Sequence, residues 1–218
     1  MIRVVVVDDE ALVRSGFRLI LDAAADIEVV ATATGAEAVR EISLQKPDVV
    51  LLDVRMPDVD GLTILREVRA QPNPPVVAML TTFDSDEYIA AALRSGAAGF
   101  LLKDTDPEQL AHLVRTLAGG GVVLSPKVTR SVVDRFLDSG AGSPTSARID
   151  KLSNREREIL IQLAEGLSNN DIAAGVHLSV GTVKDHVSAI FTKLKVSTRV
   201  QAALLAQQAG LLAPRDDR

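Results

Sequence analysis

Two apolar runs in the first half of the chain end on carboxylates. Ile2–Val7 is followed by Asp8 and Asp9, and Val49–Leu52 is followed by Asp53. Carboxylates about 5 Å apart repel each other by about 3 kcal/mol at an effective dielectric of roughly 20, so a cluster of them favours a bound cation. A few oxygen ligands, with room left for water and phosphate, suit Mg²⁺. With the metal present, Asp53 can act as a carboxylate nucleophile that accepts a phosphoryl group.

Two further apolar runs place a hydroxyl and an ammonium group at corresponding positions. Val76–Leu80 leads into Thr81, and Phe100–Leu102 leads into Lys103. In an open parallel sheet, functional groups gather outside the carboxyl ends of the strands, so these side chains are expected to meet the carboxylates. Thr81 and Lys103 would then hold the phosphoryl oxygens, because phosphoryl transfer depends mainly on positioning and charge neutralisation. A lone Asp at a strand end more often caps the next helix, but complementary groups at four strand ends favour a phosphoacceptor site.

The elements that position these groups follow from hydrophobic periodicity. Short Val-rich runs that do not alternate with polar residues predict strands buried on both faces, and helical patterns separate them. This order is typical of an α/β fold with a parallel sheet covered by helices. The predicted strands are Ile2–Val7, Ile27–Ala33, Val49–Asp53, Val76–Thr81 and Phe100–Leu102. The predicted helices cover residues 11–24, 34–44 (opened by a capping box at Thr34 and Glu37), 61–70, 84 or 85 to 95, and a segment starting at Asp106-Pro107.

The pattern changes after about residue 125. Apolar residues between Val128 and Leu137 predict one amphipathic helix, and the small polar segment Ser139–Ala147 predicts a flexible linker. From Leu152 onward every segment has a helical period, so the second domain is expected to be small and all-α. We therefore expect one domain over residues 1–121 and another over 151–218, joined by residues 122–150.

Charge is distributed unevenly between the two predicted domains. Residues 1–125 contain eleven Lys and Arg against nineteen Asp and Glu, a net charge of −8. Residues 151–218 contain nine against seven, a net charge of +2, so the two domains are expected to have different partners. The sequence has no cysteine, no signal peptide pattern and no apolar stretch of the roughly 18 residues needed to cross a bilayer. We expect a cytoplasmic protein without membrane contact.

The strand-end segments have a specific form, namely VVVVDDE, VVLLDVRMPDVDG, Thr81 and GAAGFLLKD. Together they resemble the receiver domain of bacterial two-component response regulators, over residues 1 to about 121. The resemblance implies a flavodoxin-like five-stranded fold in which Asp53 accepts a phosphoryl group from a sensor histidine kinase. It also implies that Asp9, Asp53 and the backbone carbonyl of Arg55 bind Mg²⁺ directly, while Asp8 acts mainly through water.

The same resemblance implies how phosphorylation changes the receiver. Thr81 would be the switch hydroxyl and Phe100 the switch aromatic, at a position where the family often carries tyrosine. Many receivers have a cis peptide bond between the active-site lysine and a following proline. Here Asp104 follows Lys103, and a cis bond without proline costs about 2.5–4 kcal/mol, so this loop departs from the family pattern.

The helical half contains signals for three consecutive helices. Ser153 with Glu156 forms a capping-box pattern, Ser168 with Asp171 is predicted to open a short second helix, and Ser179 is a predicted N-cap. Two short helices, a turn and a third helix with one polar face are typical of a helix-turn-helix, although a plain helical bundle shows the same pattern. In the third helix the apolar face contains Val183, Val187, Ile190 and Leu194, and the opposite face contains Gly181, Lys184, Asp185, Ser188 and Thr192.

Leu152–Leu194, LSNREREILIQLAEGLSNNDIAAGVHLSVGTVKDHVSAIFTKL, resembles the DNA-binding domain of LuxR-type regulators. Joined to a receiver, it is the domain combination of the NarL/FixJ family. The resemblance implies that the third helix enters the major groove of double-stranded promoter DNA, and that the phosphorylated protein forms a homodimer. It implies contacts to bases or nearby phosphates from Lys184, Asp185 and Ser188, and to the DNA backbone from Ser179, Thr182 and the helix N-terminus.

Two other functions are open at this stage. A phosphatase of the haloacid dehalogenase type also forms an aspartyl phosphate, but it needs a second acid two residues after the nucleophile, where this chain has Arg55. Asp58 and Asp60 have that spacing but follow Met-Pro rather than a strand. A receiver that acts as a binding module without phosphorylation is the second alternative, and the complete set of acids, hydroxyl and lysine argues against it. We expect a transcriptional regulator that is not an enzyme, apart from slow loss of its own phosphoryl group.

Overall fold

The chain folds into two compact units. The first contains Met1–Ala118, and the second contains the helices from Asn154 onward. The computed structural model describes residues 1–82, 86–124, 148–196 and 198–212. The predicted amphipathic helix between Val128 and Leu137 and the predicted linker Ser139–Ala147 lie outside the described residues.

A five-stranded parallel sheet forms the centre of the first unit. Its strands are β1 (Ile2–Val7), β2 (Ile27–Ala33), β3 (Val49–Asp53), β4 (Val76–Thr81) and β5 (Gly99–Leu102), in the spatial order β2-β1-β3-β4-β5. The helices are α1 (Ala11–Asp22), α2 (Ala38–Gln45), α3 (Gly61–Arg69), α4 (Asp86–Arg94) and α5 (Pro107–Ala118). The strand order reverses between β1 and β3, which opens a crevice at their carboxyl ends. The predicted flavodoxin-like α/β fold is confirmed.

Burial in the first unit explains why its strands are apolar without alternation. Val4–Val7 and Val49–Leu52 are completely shielded from solvent. Helices on both faces of a sheet bury the side chains on each face, so every strand position is apolar. Val123 also packs in this core and pairs with Gly99 of β5, so the packing continues two residues past the predicted boundary at residue 121.

One helix start was predicted incorrectly. Helix α2 begins at Ala38, so the capping-box pattern at Thr34 does not open a helix as predicted. The Glu37 carboxylate accepts hydrogen bonds from the Thr34 N–H at 3.1 Å and from its hydroxyl at 2.9 Å, but the Glu37 N–H donates to Thr34 O at 3.2 Å. These bonds close a tight turn instead of a helical turn, whose bonds span four residues. The predicted start of α4, at residue 84 or 85, lies outside the described residues.

The described part of the second unit is helical, as predicted. Its helices are α6 (Asn154–Ala164), α7 (Asn169–Gly175), α8 (Val180–Leu194) and α9 (Arg199–Gln208). The predicted capping box at Ser153 is formed, the predicted helix start at Ser168 has a capping box of its own, and Ser179 caps α8. The shared core includes Ile159, Leu160, Leu163, Ile172, Val183, Ile190 and Leu194. Over the described ranges of the whole chain, no helix is both long and apolar enough to cross a membrane.

Candidate functional site

Neighbouring strands bring the predicted carboxylates together at one edge of the sheet. Val7 of β1 pairs with Leu52 of β3, so Asp8 and Asp53 follow paired positions. Both are buried, with exposed fractions of 0% and 3%, whereas Asp9 is exposed. One carboxylate oxygen from each of these three acids lies within 4.8 Å of the others. Three negative charges at this separation require positive charge nearby.

Lys103, just beyond β5, supplies part of that positive charge. Its ammonium nitrogen lies 2.9 Å from Asp8 Oδ2, 3.1 Å from Asp53 Oδ2 and 3.6 Å from Glu10 Oε1. Glu10 is therefore an addition to the predicted site residues. The peptide bond from Lys103 to Asp104 is trans, so this loop differs from the cis arrangement of proline-containing receivers.

Burial and ion pairing together set the protonation of this cluster. Burial raises the pKa of Asp53 to about 6. A hydrogen bond from Lys103 opposes this change, and the charge of Asp8 adds to it. The backbone N–H of Arg55 also donates to the Asp53 carboxylate and favours its ionised form. Burial on its own lowers the pKa of Lys103, but its bonds to the two buried carboxylates raise it, so the ammonium stays charged.

The charges of this cluster fit a divalent cation. Asp8, Asp9 and Asp53 contribute three negative charges against one positive charge from Lys103. Asp8 Oδ2 and Asp53 Oδ2 are buried and accept no hydrogen bond of regular geometry from the described residues, although the ammonium lies at ion-pair distance. Buried oxygens in this condition are costly, and a hard cation that prefers oxygen ligands, such as Mg²⁺, would satisfy them.

The two predicted switch residues lie on one face of the sheet. Thr81 pairs with Leu102 across β4 and β5, and Phe100 stands two residues before Leu102. Side chains two residues apart in a strand point to the same face, so Thr81 and Phe100 share a face. Both are buried. A displacement of Thr81 would therefore act on the side of the sheet that Phe100 occupies.

The loop after Asp53 is held by contacts that the sequence analysis missed. Val54 O accepts hydrogen bonds from the Gly61 N–H at 3.2 Å and from the Tyr88 hydroxyl at 2.8 Å. Gly61 must lack a side chain, because a Cβ there would lie 2.2 Å from Asp53 O. Asp60 caps this helix by accepting from the Leu62 N–H, and the helix starts at Gly61 as predicted. No local signal identifies Tyr88, which is 34 residues from Val54 in the sequence.

Helix α8 of the second unit presents its predicted polar face to solvent. Its apolar face is buried through Val183, Ile190 and Leu194, and Val187 is partly buried. The residues predicted to contact DNA are all exposed, namely Ser179, Thr182, Lys184, Asp185 and Ser188, and so are Gly181 and Thr192. The packing of α8 therefore leaves one side accessible to a partner.

The exposed end of α8 is organised by local hydrogen bonds. Ser179 Oγ accepts from the Thr182 N–H at 3.1 Å and lies 2.8 Å from Thr182 Oγ1. Further along, the Ser188 hydroxyl donates to Lys184 O at 3.0 Å, which leaves the oxygen of Ser188 as an acceptor. The exposed face thus offers one ammonium, one carboxylate and preorganised hydroxyl groups.

Two buried charged residues, each about 6% exposed, join the helices of the second unit. Glu156 of α6 accepts from Lys193 of α8 with both carboxylate oxygens, at 2.7 and 2.6 Å. Arg199 of α9 donates to Asn169 Oδ1 at 3.2 Å and to backbone carbonyl groups at the end of α6 and in the loop after it. Burial raises the pKa of Glu156, but hydrogen bonds from Lys193 and Ser153 lower it overall, and burial lowers the pKa of Arg199 to about 10. The sequence analysis identified Glu156 only as a capping residue and missed Arg199.

An α/β unit with a carboxylate–lysine site and a helical unit with one exposed polar helix together define a two-domain signalling regulator. Residues 4–115 match the family described as response regulator receiver domain, and residues 150–206 match the family described as bacterial regulatory proteins, luxR family. The chain therefore belongs to the response regulators of NarL type and is a transcriptional regulator with a LuxR-type helix-turn-helix domain, not a typical enzyme. This membership removes the phosphatase alternative.

Individual relatives agree with this assignment over nearly the whole chain. The sequence is 38% identical to the uncharacterized transcriptional regulatory protein YhcZ of Bacillus subtilis, over 94% of each chain. It is also 38% identical to the oxygen regulatory protein NreC of Staphylococcus epidermidis, over 96% of this chain and 99% of the relative. Among solved structures, it is similar to the response regulator ChrA of a heme-sensing two-component system, with a TM-score of 0.52 and 38% identity, over 96% of this chain and 98% of that one.

Proposed function

We propose that this protein controls transcription through a phosphoryl group that Asp53 accepts from a sensor histidine kinase. The observation that carries the proposal is the position of the Lys103 ammonium between two buried carboxylates, 2.9 Å from Asp8 and 3.1 Å from Asp53. In this arrangement an ionised oxygen of Asp53 attacks the phosphorus of a phosphohistidine, and the P–N bond breaks as the P–O bond forms. A small donor such as acetyl phosphate can supply the same group.

The other residues of the site assist this transfer by holding charge. Asp9, Asp53 and the backbone carbonyl of Arg55 would hold Mg²⁺, with Asp8 acting through water, and the ion supplies neutralisation of the phosphoryl oxygens. Lys103 pairs with a phosphoryl oxygen after transfer, because its ammonium already lies at the accepting carboxylate. The hydroxyl of Thr81 donates to another phosphoryl oxygen. Water hydrolyses the resulting acyl phosphate slowly, which resets the protein.

Promoter DNA is the second proposed partner, and the proposed location of the protein is therefore the cytoplasm. Helix α8 would enter the major groove, with Lys184, Asp185 and Ser188 at bases or nearby phosphates and Thr182 and Ser179 on the backbone. One lysine on the exposed face gives a single copy only weak affinity. Two copies held together sum their contacts on half-sites about 10 bp apart, or a multiple of this. Phosphorylation therefore promotes DNA binding by favouring a homodimer, through movement of Thr81 and Phe100.

Labelling with acetyl phosphate tests the phosphoacceptor directly. The wild-type protein should take up one phosphoryl group with Mg²⁺ and little without it, whereas Asp53→Asn should take up none while keeping its fold by circular dichroism. Equal labelling of Asp53→Asn would place the acceptor elsewhere. Gel filtration and mobility-shift measurements with beryllofluoride and Mg²⁺ test the second step. A labelled protein whose oligomeric state and DNA affinity do not change would instead be a regulator that binds DNA independently of phosphorylation.

A further inference from the structure

One peptide unit connects the phosphoacceptor to helix α4. The backbone N–H of Arg55 donates to the Asp53 carboxylate. The carbonyl of the same peptide unit is Val54 O, which accepts from the Tyr88 hydroxyl of α4 at 2.8 Å. A peptide unit is planar and close to rigid, so its N–H and its carbonyl cannot reorient separately. A change at the Asp53 carboxylate therefore changes the direction of the carbonyl that Tyr88 binds.

Hydrogen bonding at one end of this unit also strengthens bonding at the other. Hydrogen bonds in a chain polarise one another, and this effect is larger in surroundings of low dielectric constant. A donor on Val54 O therefore makes the Arg55 N–H a better donor to the buried Asp53 carboxylate. The Tyr88 hydroxyl thus contributes to the electrostatics of the phosphoacceptor without touching it.

The Tyr88 hydroxyl has a second acceptor within reach. It contacts the Asp60 carboxylate, which caps α3 by accepting from the Leu62 N–H at 3.3 Å. The Leu62 N–H also lies 3.3 Å from the Tyr88 oxygen. A hydroxyl has only one proton, so the Val54 carbonyl and the Asp60 carboxylate compete for it. The hydroxyl can therefore donate to either the carbonyl or the carboxylate without leaving its place on α4.

We infer that Tyr88 is a positioning residue through which α4 responds to the state of Asp53. The inference rests on the proposal that Asp53 accepts the phosphoryl group. Phosphorylation converts one carboxylate oxygen into an acyl phosphate oxygen, which is a poorer acceptor for the Arg55 N–H. The peptide unit then turns, Val54 O moves relative to the tyrosine, and the hydroxyl proton shifts toward Asp60. This route runs through the β3–α3 loop and is separate from the one through Thr81 and Phe100.

The composition of the chain provides a direct probe of this contact. Tyr88 is the single tyrosine of the sequence, which has no tryptophan, so the tyrosine fluorescence of the full-length protein arises from this residue alone. Tyrosine emission is sensitive to hydrogen bonding of the hydroxyl to carbonyl and carboxylate groups. Adding beryllofluoride with Mg²⁺ should change the emission of the wild-type protein. The same addition should leave the emission of Asp53→Asn unchanged.

A variant of Tyr88 without the hydroxyl tests whether this residue affects ligand binding at Asp53. Tyr88→Phe keeps the ring and removes the hydroxyl whose bond to Val54 O favours the unmodified Asp53 carboxylate, so it should tighten Mg²⁺-dependent binding of beryllofluoride roughly two- to tenfold. Thr116→Val is the matched control, because it removes a hydroxyl that donates to His112 O at 3.0 Å within α5, away from the loop. That control should bind beryllofluoride like the wild type. Binding is measured by fluorine NMR or calorimetry, which do not depend on tyrosine emission.

The outcomes separate this inference from the proposed function. If the wild type binds beryllofluoride but its tyrosine emission does not change, or if Tyr88→Phe binds no more tightly than the wild type, Tyr88 is not coupled to Asp53 as inferred and only the phosphoacceptor proposal survives. If the wild type binds no beryllofluoride in fluorine NMR, the phosphoacceptor proposal fails and the inference fails with it. Should Tyr88→Phe not fold, the wild-type emission alone decides.

Discussion

Buried carboxylates are paired incompletely in one unit of this protein and completely in the other. In the receiver, Asp8 and Asp53 share one lysine, and each has a buried oxygen without a hydrogen bond of regular geometry from the described residues. In the helical unit, both oxygens of Glu156 accept from Lys193, and one also accepts from the Ser153 N–H at 2.8 Å. A buried charge with incomplete partners is costly, and a fully paired one much less so. The buried oxygens of Asp8 and Asp53 are therefore still able to accept a cation, whereas those of Glu156 are already satisfied within the helical unit.

Removing a proposed metal ligand should produce the largest effect. Asp9→Ala deletes an exposed carboxylate of the receiver cluster, and we expect its Mg²⁺ affinity to fall by about a hundredfold or more, since loss of even an outer-shell group commonly costs 10- to 100-fold. Isothermal titration with Mg²⁺ measures the change. Glu10→Ala is the matched control, because this exposed acid also faces Lys103 but is not a proposed ligand. Equal losses in both variants would show general electrostatic attraction instead of a defined site.

Breaking the paired carboxylate of the helical unit should have the next largest effect. Glu156→Gln keeps an acceptor for the Ser153 N–H but leaves Lys193 without its counter-charge. We expect unfolding free energy to fall by about 2 kcal/mol, less than for a fully buried pair because Lys193 is 39% exposed. Urea denaturation measures this change. Glu158→Gln, which breaks the exposed ion pair with Arg155, should change stability by less than about 1 kcal/mol.

Removing the negative charge of Asp53 in the receiver should instead increase the stability of the protein. The raised pKa of Asp53 means that the folded protein holds its proton up to about pH 6, whereas the unfolded chain loses it near pH 4. Ionisation of Asp53 therefore lowers the free energy of unfolding of the wild type as pH rises from about 4 to 6, and it has no further effect at higher pH. At pH 7 we expect the free energy of unfolding of Asp53→Asn, measured by urea denaturation, to exceed that of the wild type by roughly 1–2 kcal/mol. This difference should shrink toward pH 4. A difference that does not depend on pH would remove the link to ionisation of Asp53.

The smallest predicted effect concerns the exposed face of α8. Lys184→Ala should weaken binding to a duplex selected by the wild-type protein from a random pool by about 1 kcal/mol, roughly fivefold, as expected for loss of a base or phosphate contact. Lys151→Ala removes an exposed lysine outside the predicted contact face and should bind like the wild type. Mobility shifts at fixed salt with beryllofluoride-treated full-length protein compare the two. Identical affinities would show that α8 presents another face to DNA.

Predictions from local patterns succeeded where a single element contains its own signal. Val49–Asp53 and Val76–Thr81 have the predicted bounds. The capping boxes at Ser153 and Ser168 form because the interacting residues are three apart on one helical turn. A capping pattern produces a helix start only when the residues after it take helical conformation. At Thr34 the Glu37 N–H bonds to Thr34 O and closes a turn, and the helix starts later, at Ala38.

The candidate site was predictable in part, for a different reason. Strand ends of a doubly wound sheet meet at one edge whatever the intervening sequence, so Asp8, Asp53 and Lys103 could be assigned to one place before their distances were known. Contacts made by helix faces offer no such rule. The bond from Tyr88 to the loop after Asp53 and the cluster around Arg199 depend on how helices pack, and no spacing along the chain indicates them.

The order and type of the elements, the strand-end positions of the acids and the polar face of α8 could all be inferred from the amino-acid sequence. Each of these depends on side chains a few residues apart or on the topology of a parallel sheet. The contacts between distant groups became known from the folded protein: Lys103 lies between Asp8 and Asp53, Lys193 contacts Glu156, and Tyr88 contacts Val54. Those pairings are settled by packing of the whole core, because a shift of a few ångströms in one helix exceeds the reach of a hydrogen bond.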